Sequence, residues 1–320
     1  MTCNLCGSAS SEVLFYLPDS NGRPPWPVRR CLECGLGYLS PRPTPEELID
    51  YYPPEYYGPR NRRFAGPLEA FEVWCRKRRA RDIARLRSPG LVLDIGCGRG
   101  IMLDELRRRG WSVMGTEASE MAARHARDVL GLPVATQDVQ ELRLGEGSLD
   151  VVTLYHVLEH LPDARGCLQE VHRALKPGGM VVVAVPNLDS LEARWTGRGW
   201  FHLDPPRHQF HFSKRALLRM LRELGFEPVR VKRFSLEYGP YGMLQSLLNR
   251  MGFPQDFLYN ALKKPEARLR NGTPRGRRVL AGIAHVLALP LLAPVSFALH
   301  TIDALVGGGS CIEVHAVRRS

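Results

Sequence analysis

The sequence predicts an α/β protein, a parallel sheet fed by strand–helix units with a small cysteine-rich module in front of it. Three observations carry that expectation. Short apolar runs alternate with helical stretches between residues 91 and 185. A glycine cluster, Gly96-Cys97-Gly98-Arg99-Gly100, stands where the first such run meets its helix. Two CxxC pairs, Cys3/Cys6 and Cys31/Cys34, lie close together near the start of the chain.

The composition is that of an ordinary folded protein. Of 320 residues, 44% are hydrophobic and 24% charged, which excludes a disordered or collagen-like chain. Lys and Arg outnumber Asp and Glu, 44 to 33, for a net charge of +11. Such a surface favours anionic partners: phosphates, nucleic acid or an acidic membrane face. Arginines scattered over solvated faces would give the same total. Met1 to Leu17 has no basic start followed by a long apolar run, so the expected location is cytoplasmic. Cys75, Cys97, Cys167 and Cys311 stand alone in sequence, which suits a reducing compartment rather than a disulfide framework.

Residues 1–40 read as a zinc-ribbon-like module. Each knuckle, Cys3-Asn4-Leu5-Cys6-Gly7 and Cys31-Leu32-Glu33-Cys34-Gly35, offers two thiolates one tight turn apart. Four thiolates fit a tetrahedral structural zinc with no open position for water. Val13–Leu17 and Pro27–Arg30 between them can form two short strands. A redox role for either CxxC is the weaker alternative, because nothing thioredoxin-like surrounds it. Residues 41–87 form a linker and lead-in helix. Thr44, Pro45 and Glu47 make a capping box for a short helix. Tyr51-Tyr52-Pro53-Pro54-Glu55-Tyr56-Tyr57 suggests a rigid lid or packing linker, and 67–87 a basic amphipathic helix.

The core is expected over 88–235. Leu91–Ile95 is a buried strand running into the glycine turn. The spacing is GxGxG, not the GxGxxG of dinucleotide enzymes, and no GK[ST] follows. Asp94 precedes the first glycine. It would repel a pyrophosphate but can accept hydrogen bonds from a cationic amino-acid ligand. The strand Trp111–Thr116 ends at Glu117, a position suited to a ribose diol. Pro133–Thr136 is followed by Asp138, an acceptor suited to an adenine amine. Leu149–Leu154 leads into Tyr155-His156-Val157-Leu158-Glu159-His160. A helix over 163–175 is expected to stop at Lys176-Pro177-Gly178-Gly179, before a strand from Met180 to Val185.

These motifs together resemble the class I S-adenosylmethionine-dependent methyltransferases, over about residues 85–235. LDIGCGRG resembles their first motif, Glu117 their second-strand acid, and YHVLEHLPD and LKPGGMVVVAVPN their later ones. The resemblance implies a Rossmann-like seven-stranded sheet whose last strand is antiparallel, here supplied by Cys311–Val317 within residues 307–320. It implies S-adenosyl-L-methionine held by Asp94, Gly96, Gly98, Gly100, Glu117, Asp138 and Tyr155. Within the family the chain looks most like small-molecule enzymes with a cysteine-rich N-terminal module, some of which act on sugars, lipid-linked saccharides or secondary metabolites.

Methyl transfer needs a nucleophile held in line with the methyl in a dry pocket, and a base when the nucleophile is a hydroxyl. His156 follows the fourth strand at the ligand edge and can serve as base, or can only shape the site. The segment Trp195–Phe212 leaves the fifth strand at the same edge and should roof the acceptor pocket. It carries His202, Asp204, Arg207, His208 and His211 among aromatics. Relatives carry a similar aspartate–diproline–arginine–histidine stretch. His208 is the expected base or acceptor contact and Arg207 the anion contact. His202 and His211 can equally hydrogen-bond loop backbone, and a metal on His202, Asp204 and His208 is a weaker alternative. Ser213 should cap the next helix.

Residues 236–306 form an insertion. A basic run from Lys263 to Arg278 precedes Val279–Ile302, which contains no Asp, Glu, Lys or Arg. Its length suffices to cross a bilayer. Pro290 and Pro294 should break the helix, and 311–317 must return to the sheet, which argues against a single crossing and leaves a helical hairpin feasible. That hairpin would lie peripherally on the inner face of an anionic membrane, form a dimer interface, or fill a core of its own; no motif speaks to oligomeric state. The expected activity is methyl transfer to a small-molecule acceptor. An RNA methyltransferase is the first alternative, from the zinc module and basic surface. The acidic-diproline motif of nucleic-acid enzymes belongs after the fourth strand, however, where this chain has YHVLEH. A non-catalytic S-adenosylmethionine-binding scaffold is the second.

Overall fold

The structure is a computed structural model that describes residues 2–19, 23–52, 66–137, 139, 141–263, 275–306 and 308–319; side chains at 263 and 275–287 are outside the description. The Tyr–Pro stretch from 53 to 57, Asp138 and most of the basic run therefore lie outside the described residues.

Strands β1 (Ser11–Leu17), β2 (Trp26–Cys31) and β3 (Gly37–Leu39) are followed by helices α1 (Pro45–Ile49) and α2 (Pro67–Leu86). The core then runs β4 (Leu91–Ile95), α3 (Ile101–Arg107), β5 (Ser112–Thr116), α4 (Glu120–Arg124), β6 (Val134–Ala135), β7 (Leu149–Tyr155), α5 (Ala164–Ala174) and β8 (Leu175–Pro186). After it come α6 (Leu191–Thr196), β9 (Phe210–His211), α7 (Lys214–Glu223) and β10 (Phe226–Lys232). The chain ends through α8 (Gly239–Arg250), α9 (Phe257–Lys263), α10 (Arg275–Leu305) and β11 (Cys311–Arg318).

The main sheet has seven strands in the order β10-β11-β8-β7-β4-β5-β6. Strands β4 to β8 are parallel, and β11 runs antiparallel to both its neighbours. This is the Rossmann-like sheet with an antiparallel last strand. Strand order reverses between β4 and β7, so ligands are expected beyond their C-terminal ends. The pleat splits β8 between two cores. Val181, Val183 and Val185 face α5 and α7, while Met180 and Val182 face α2 and α3. Each such fully buried Val or Leu contributes about 1.5–3 kcal/mol.

Helix ends follow the side chains present. Thr44 and Glu47 exchange the hydrogen bonds of a capping box, and Ser213 Oγ accepts from Ala216 N–H at the start of α7. Helix α5 ends earlier than expected: β8 begins at Leu175, and Lys176-Pro177-Gly178-Gly179 belongs to the strand.

The N-terminal strands do not stand apart. Strand β3 pairs with β9, giving a second sheet in the order β1-β2-β3-β9. Cys3, Leu5, Cys31, Cys34, Leu36 and Tyr38 are buried in one hydrophobic cluster with α5, α7 and β8.

The insertion corrects one expectation. Pro290 and Pro294 lie inside a single helix, α10, rather than at the bend of a hairpin. A proline removes one backbone donor but does not by itself turn the chain. Asp303 makes the turn instead: its Oδ1 accepts from Gly309 N–H at 2.8 Å and from Leu191 N–H at 3.1 Å, sending the chain back to β11. The window Ala288–Leu305 is long and apolar enough to cross a membrane, and 17% of it is buried within the protein. Leu291, Val295, Phe297, Ile302 and Leu305 are exposed.

Candidate active site

At the C-terminal end of β4 the chain turns through Gly96, Gly98 and Gly100, all at positive φ. Two of them are needed for different reasons. A Cβ at Gly96 would lie 2.3 Å from Val157 Cγ2, so the turn can pack on the loop after β7 only without one. A Cβ at Gly98 would meet nothing nearer than Arg76 Nη1 at 3.7 Å; there the positive φ of 55° makes the demand, and the space above the turn stays open. Glu117 follows β5. Its carboxylate accepts from Gly98 N–H at 2.8 Å and from Ser119 N–H at 2.9 Å, tying the second-strand acid to the glycine turn.

Asp94 is 5% exposed and accepts from Thr153 Oγ1 at 2.6 Å. Burial pushes its carboxyl up to about 7, against the Thr153 hydroxyl and the Arg79 and Arg76 guanidiniums, which pull it down. A buried acid so placed is stabilised as a carboxylate by any cation that binds beside it. Tyr155 ends β7, its hydroxyl raised well above its ordinary pKa by burial. Arg79 lies 4.3 Å above the Tyr155 ring and pairs with Glu237.

Arg76, Arg79, Tyr238 and Glu237 are absent from the residues expected from sequence. The basic character of 67–87 pointed to α2 but not to which arginines turn inward.

Beyond β7 the loop carries His156, in the left-handed region at φ 56°. Its ring lies 3.9 Å from that of Tyr238, and its Nδ1 is 3.3 Å from Glu159 Oε1. Glu159 is 1% exposed. Burial works against its ionisation, but His156, then His160 and His208, hold it down to about 2. Burial and neighbouring His208 lower His160 to about 4.

The segment 202–212 is fastened to this loop. The Glu159 carbonyl accepts from Gln209 N–H at 2.9 Å and Phe210 N–H at 3.1 Å, and Gln209 Nε2 donates to the His160 carbonyl at 3.0 Å. His208 is 9% exposed, with Nδ1 2.8 Å from the His202 carbonyl and its ring edge-on to His160 at 4.5 Å. His160 Nδ1 lies 3.1 Å from the Arg207 carbonyl and 3.1 Å from Tyr52 Oη. His211 Nε2 meets the Leu203 carbonyl at 2.9 Å, one of the loop-backbone contacts held open from sequence. His202 is buried, with Nε2 4.0 Å from Glu192 Oε1; Glu192, pushed up to about 8 by burial, accepts from Ser246 Oγ at 2.7 Å.

Asp204 and Arg207 face each other: Arg207 Nε donates to Asp204 Oδ2 at 3.0 Å, and Arg207 Nη1 reaches the Tyr51 carbonyl at 3.4 Å. The pair braces the loop, so the sequence-derived anion contact is turned toward its own aspartate. The metal trio His202, Asp204 and His208 is not brought together. The residues that do converge are Glu159, His160 and His208.

At the N-terminus, Cys3, Cys6, Cys31 and Cys34 offer four sulfurs within 4.8 Å of one another. Cys3–Cys34 and Cys6–Cys31 are each 3.5 Å apart, and all four thiols are free. Thiolates at tetrahedral corners about 2.3 Å from zinc would be about 3.8 Å apart, so the donor set fits that ion.

Comparison with known proteins bears on the same region. A family model described as "Methyltransferase domain" matches residues 69–231. A ubiquinone biosynthesis O-methyltransferase of Caulobacter sp. is 33% identical over 215 residues, 59% of this chain and 79% of that protein. One of Idiomarina loihiensis is 28% identical over 192 residues, 55% of this chain and 75% of that one. For one of Pseudomonas aeruginosa the match is 37% over 102 residues and spans 44% of its length. Among solved structures, a SAM dependent methyltransferase from Archaeoglobus fulgidus aligns at 21% identity with a TM-score of 0.49, covering 80% of this chain and 96% of that one.

Proposed function

The chain belongs to the class I S-adenosylmethionine-dependent methyltransferases, and from that premise we propose that it methylates a hydroxyl oxygen of a small-molecule acceptor held under the 202–212 segment. The observation that carries this reading is the contact between the glycine turn and the loop after β7. Gly96 packs on Val157, so the donor turn and the loop bearing His156, Glu159 and His160 are one unit.

Asp94 receives the cationic ammonium of the donor, and Gly96, Gly98 and Gly100 let it approach the backbone. Glu117 takes the ribose hydroxyls in exchange for the Gly98 amide it now holds. Arg76, beside the turn, matches the donor's carboxylate, and Tyr155 walls the cleft. Asp138 keeps its sequence-derived role toward adenine. Bound there, S-adenosylmethionine supplies a methyl group on an electrophilic sulfonium. The chain's own work is to orient, exclude water and manage the acceptor's proton. His156 stands nearest the donor turn. His208, with His160 and Glu159, forms the polar wall facing the acceptor hydroxyl, while His202, His211 and the Asp204–Arg207 pair fix the loop around it.

Cys3, Cys6, Cys31 and Cys34 hold a structural Zn2+, since four soft donors leave no open position. The acceptor class is a lipid-linked precursor ahead of a saccharide or secondary metabolite. Two facts support it: the relatives are named for ubiquinone biosynthesis, and α10 exposes Leu291, Val295 and Phe297. Those residues suit peripheral contact with an anionic inner membrane face.

The test is transfer from methyl-labelled donor into extracts split into lipid, water-soluble and RNA pools, with products identified by mass spectrometry. An O-methylated product in the lipid pool is expected. Label confined to RNA, or no transfer from a protein that binds the donor, removes the proposal.

A further inference from the structure

We propose that Glu159, His160 and His208 form a second metal site, for a divalent transition cation, facing the acceptor. The inference rests on the reading above that the 202–212 segment covers the acceptor.

The three side chains each offer a ligand atom, and those atoms lie within 4.8 Å of one another. Both imidazoles have one edge committed to a main-chain oxygen, His208 Nδ1 on the His202 carbonyl at 2.8 Å and His160 Nδ1 on the Arg207 carbonyl at 3.1 Å. A carbonyl only accepts, so Nδ1 donates there in each ring, with Tyr52 Oη also 3.1 Å from His160 Nδ1, and Nε2 is the nitrogen left to take an ion. That is how metal-bound histidines are oriented: the far nitrogen donates to a carbonyl, which fixes the tautomer.

Glu159 supplies the independent observation. Its side chain is 1% exposed, and neither oxygen has a hydrogen bond from any of the described residues. A carboxylate buried this deeply, with a single imidazole close to one oxygen, has room for a further positive partner. His156 Nδ1, 3.3 Å from Oε1, is the neighbour that comes nearest to providing one.

The ligands are also held in register before any ion arrives. Gln209 and Phe210 amides grip the Glu159 carbonyl, and the Gln209 side chain grips that of His160. Two imidazoles and one carboxylate favour zinc, manganese, iron(II) or cobalt over calcium or magnesium. Three protein ligands leave a position for an acceptor hydroxyl, whose acidity a bound cation raises. The balanced step follows. The coordinated O–H releases its proton to water, the oxygen lone pair forms the O–CH3 bond, and the C–S bond breaks with its electron pair retained by sulfur. The products are the methyl ether and neutral S-adenosylhomocysteine.

Cobalt(II) loaded into the full chain is the probe, because the two sites differ in colour. The cysteine cluster gives thiolate charge-transfer bands, and the proposed site weaker bands of imidazole–carboxylate type. Both components are expected in the wild type. Glu159→Gln and His208→Ala should lose only the second, with cobalt affinity there falling by at least about tenfold. Donor binding and thermal melting show that the variants fold. Dialysis of the wild type against a chelator that leaves the thiolate bands intact should abolish hydroxyl methylation, and added manganese should restore it. A wild-type spectrum with thiolate bands alone, or a second component untouched in both variants, overturns the site. If methylation then persists, the acceptor reading survives without the metal. An intact second component in a protein that methylates no hydroxyl supports the site and removes that reading instead.

Discussion

On the side proposed for the donor, Asp94, the glycine turn and Glu117 hang from the ends of two adjacent parallel strands, β4 and β5. On the side proposed for the acceptor, Glu159 and His160 follow β7, while His202, His208 and His211 arrive on a segment that pairs with β3 of the N-terminal sheet. The donor side is thus fixed by the sheet itself. The acceptor side is fixed by two long-range seams: the 209–210 amides on the Glu159 carbonyl, and β9 on β3. A site built on one seam of the main sheet should tolerate damage to the N-terminal module, and a site built across two should not.

The harshest way to break that contrast is Cys34→Ser. Cys34 is fully buried in the cluster that joins the module to α7 and β8. The zinc proposed for this cluster would supply folding energy that a small core cannot replace. Release of the ion should free β3 and with it β9, which carries His211. The expected result is near-complete loss of acceptor turnover with donor affinity kept within about fivefold, the factor that about 1 kcal/mol makes. Calorimetry for donor binding and a turnover assay on the same preparation check it. Equal loss on both sides would mean that the two halves of the cleft fold as one.

Asp94→Asn probes the other half. The charge-assisted contact to a cationic ligand is worth about 1.5–3 kcal/mol, so donor affinity should fall roughly ten- to a hundredfold, with cobalt spectra of the acceptor side unchanged. The same residue gives a pH dependence. Its folded pKa, about 7, lies above the ordinary value of 3.8. Its contribution to apo stability is therefore full below about pH 4 and is lost as pH rises through 7. A cationic ligand needs the ionised form, so donor affinity should climb as pH rises from 5 to 7, by up to about tenfold per unit. In the Asn variant both slopes should vanish; a slope that survives assigns the titration to another group.

The two sides were also unequally legible in sequence. Asp94, Gly96, Gly98 and Glu117 sit at fixed offsets from apolar runs, and short-range pattern suffices to find them. The caps at Thr44 and Ser213 are readable for the same reason, whereas the seven-stranded sheet is legible through the family resemblance. Arg76 and Arg79 were not, because a basic helix shows which residues are charged but not which way it rolls. No local pattern singles out Glu159. Its significance comes from burial and from His208, a partner distant in the chain. Local propensity puts a break at Pro290 and Pro294, but the helix runs through both, and Asp303 provides the turn through its contacts with Leu191 and Gly309.

Gly37→Ala tests the seam most gently. A Cβ there would lie 2.8 Å from both His211 Cβ and Leu188 Cδ2, closer than such atoms approach. Neither neighbour is the far end of a long flexible chain, and both are buried, so β3 must shift from β9. Overpacking of this kind costs about 1–3 kcal/mol. Part of that should appear as lower global stability and part as a loosened 202–212 segment, with faster hydrogen exchange at the amides of Gln209 and Phe210. Their bonds to the Glu159 carbonyl should exchange faster while the β4–β5 ladder stays protected. Acceleration spread evenly over both sheets would mean that the β3–β9 contact carries no special share in positioning His208.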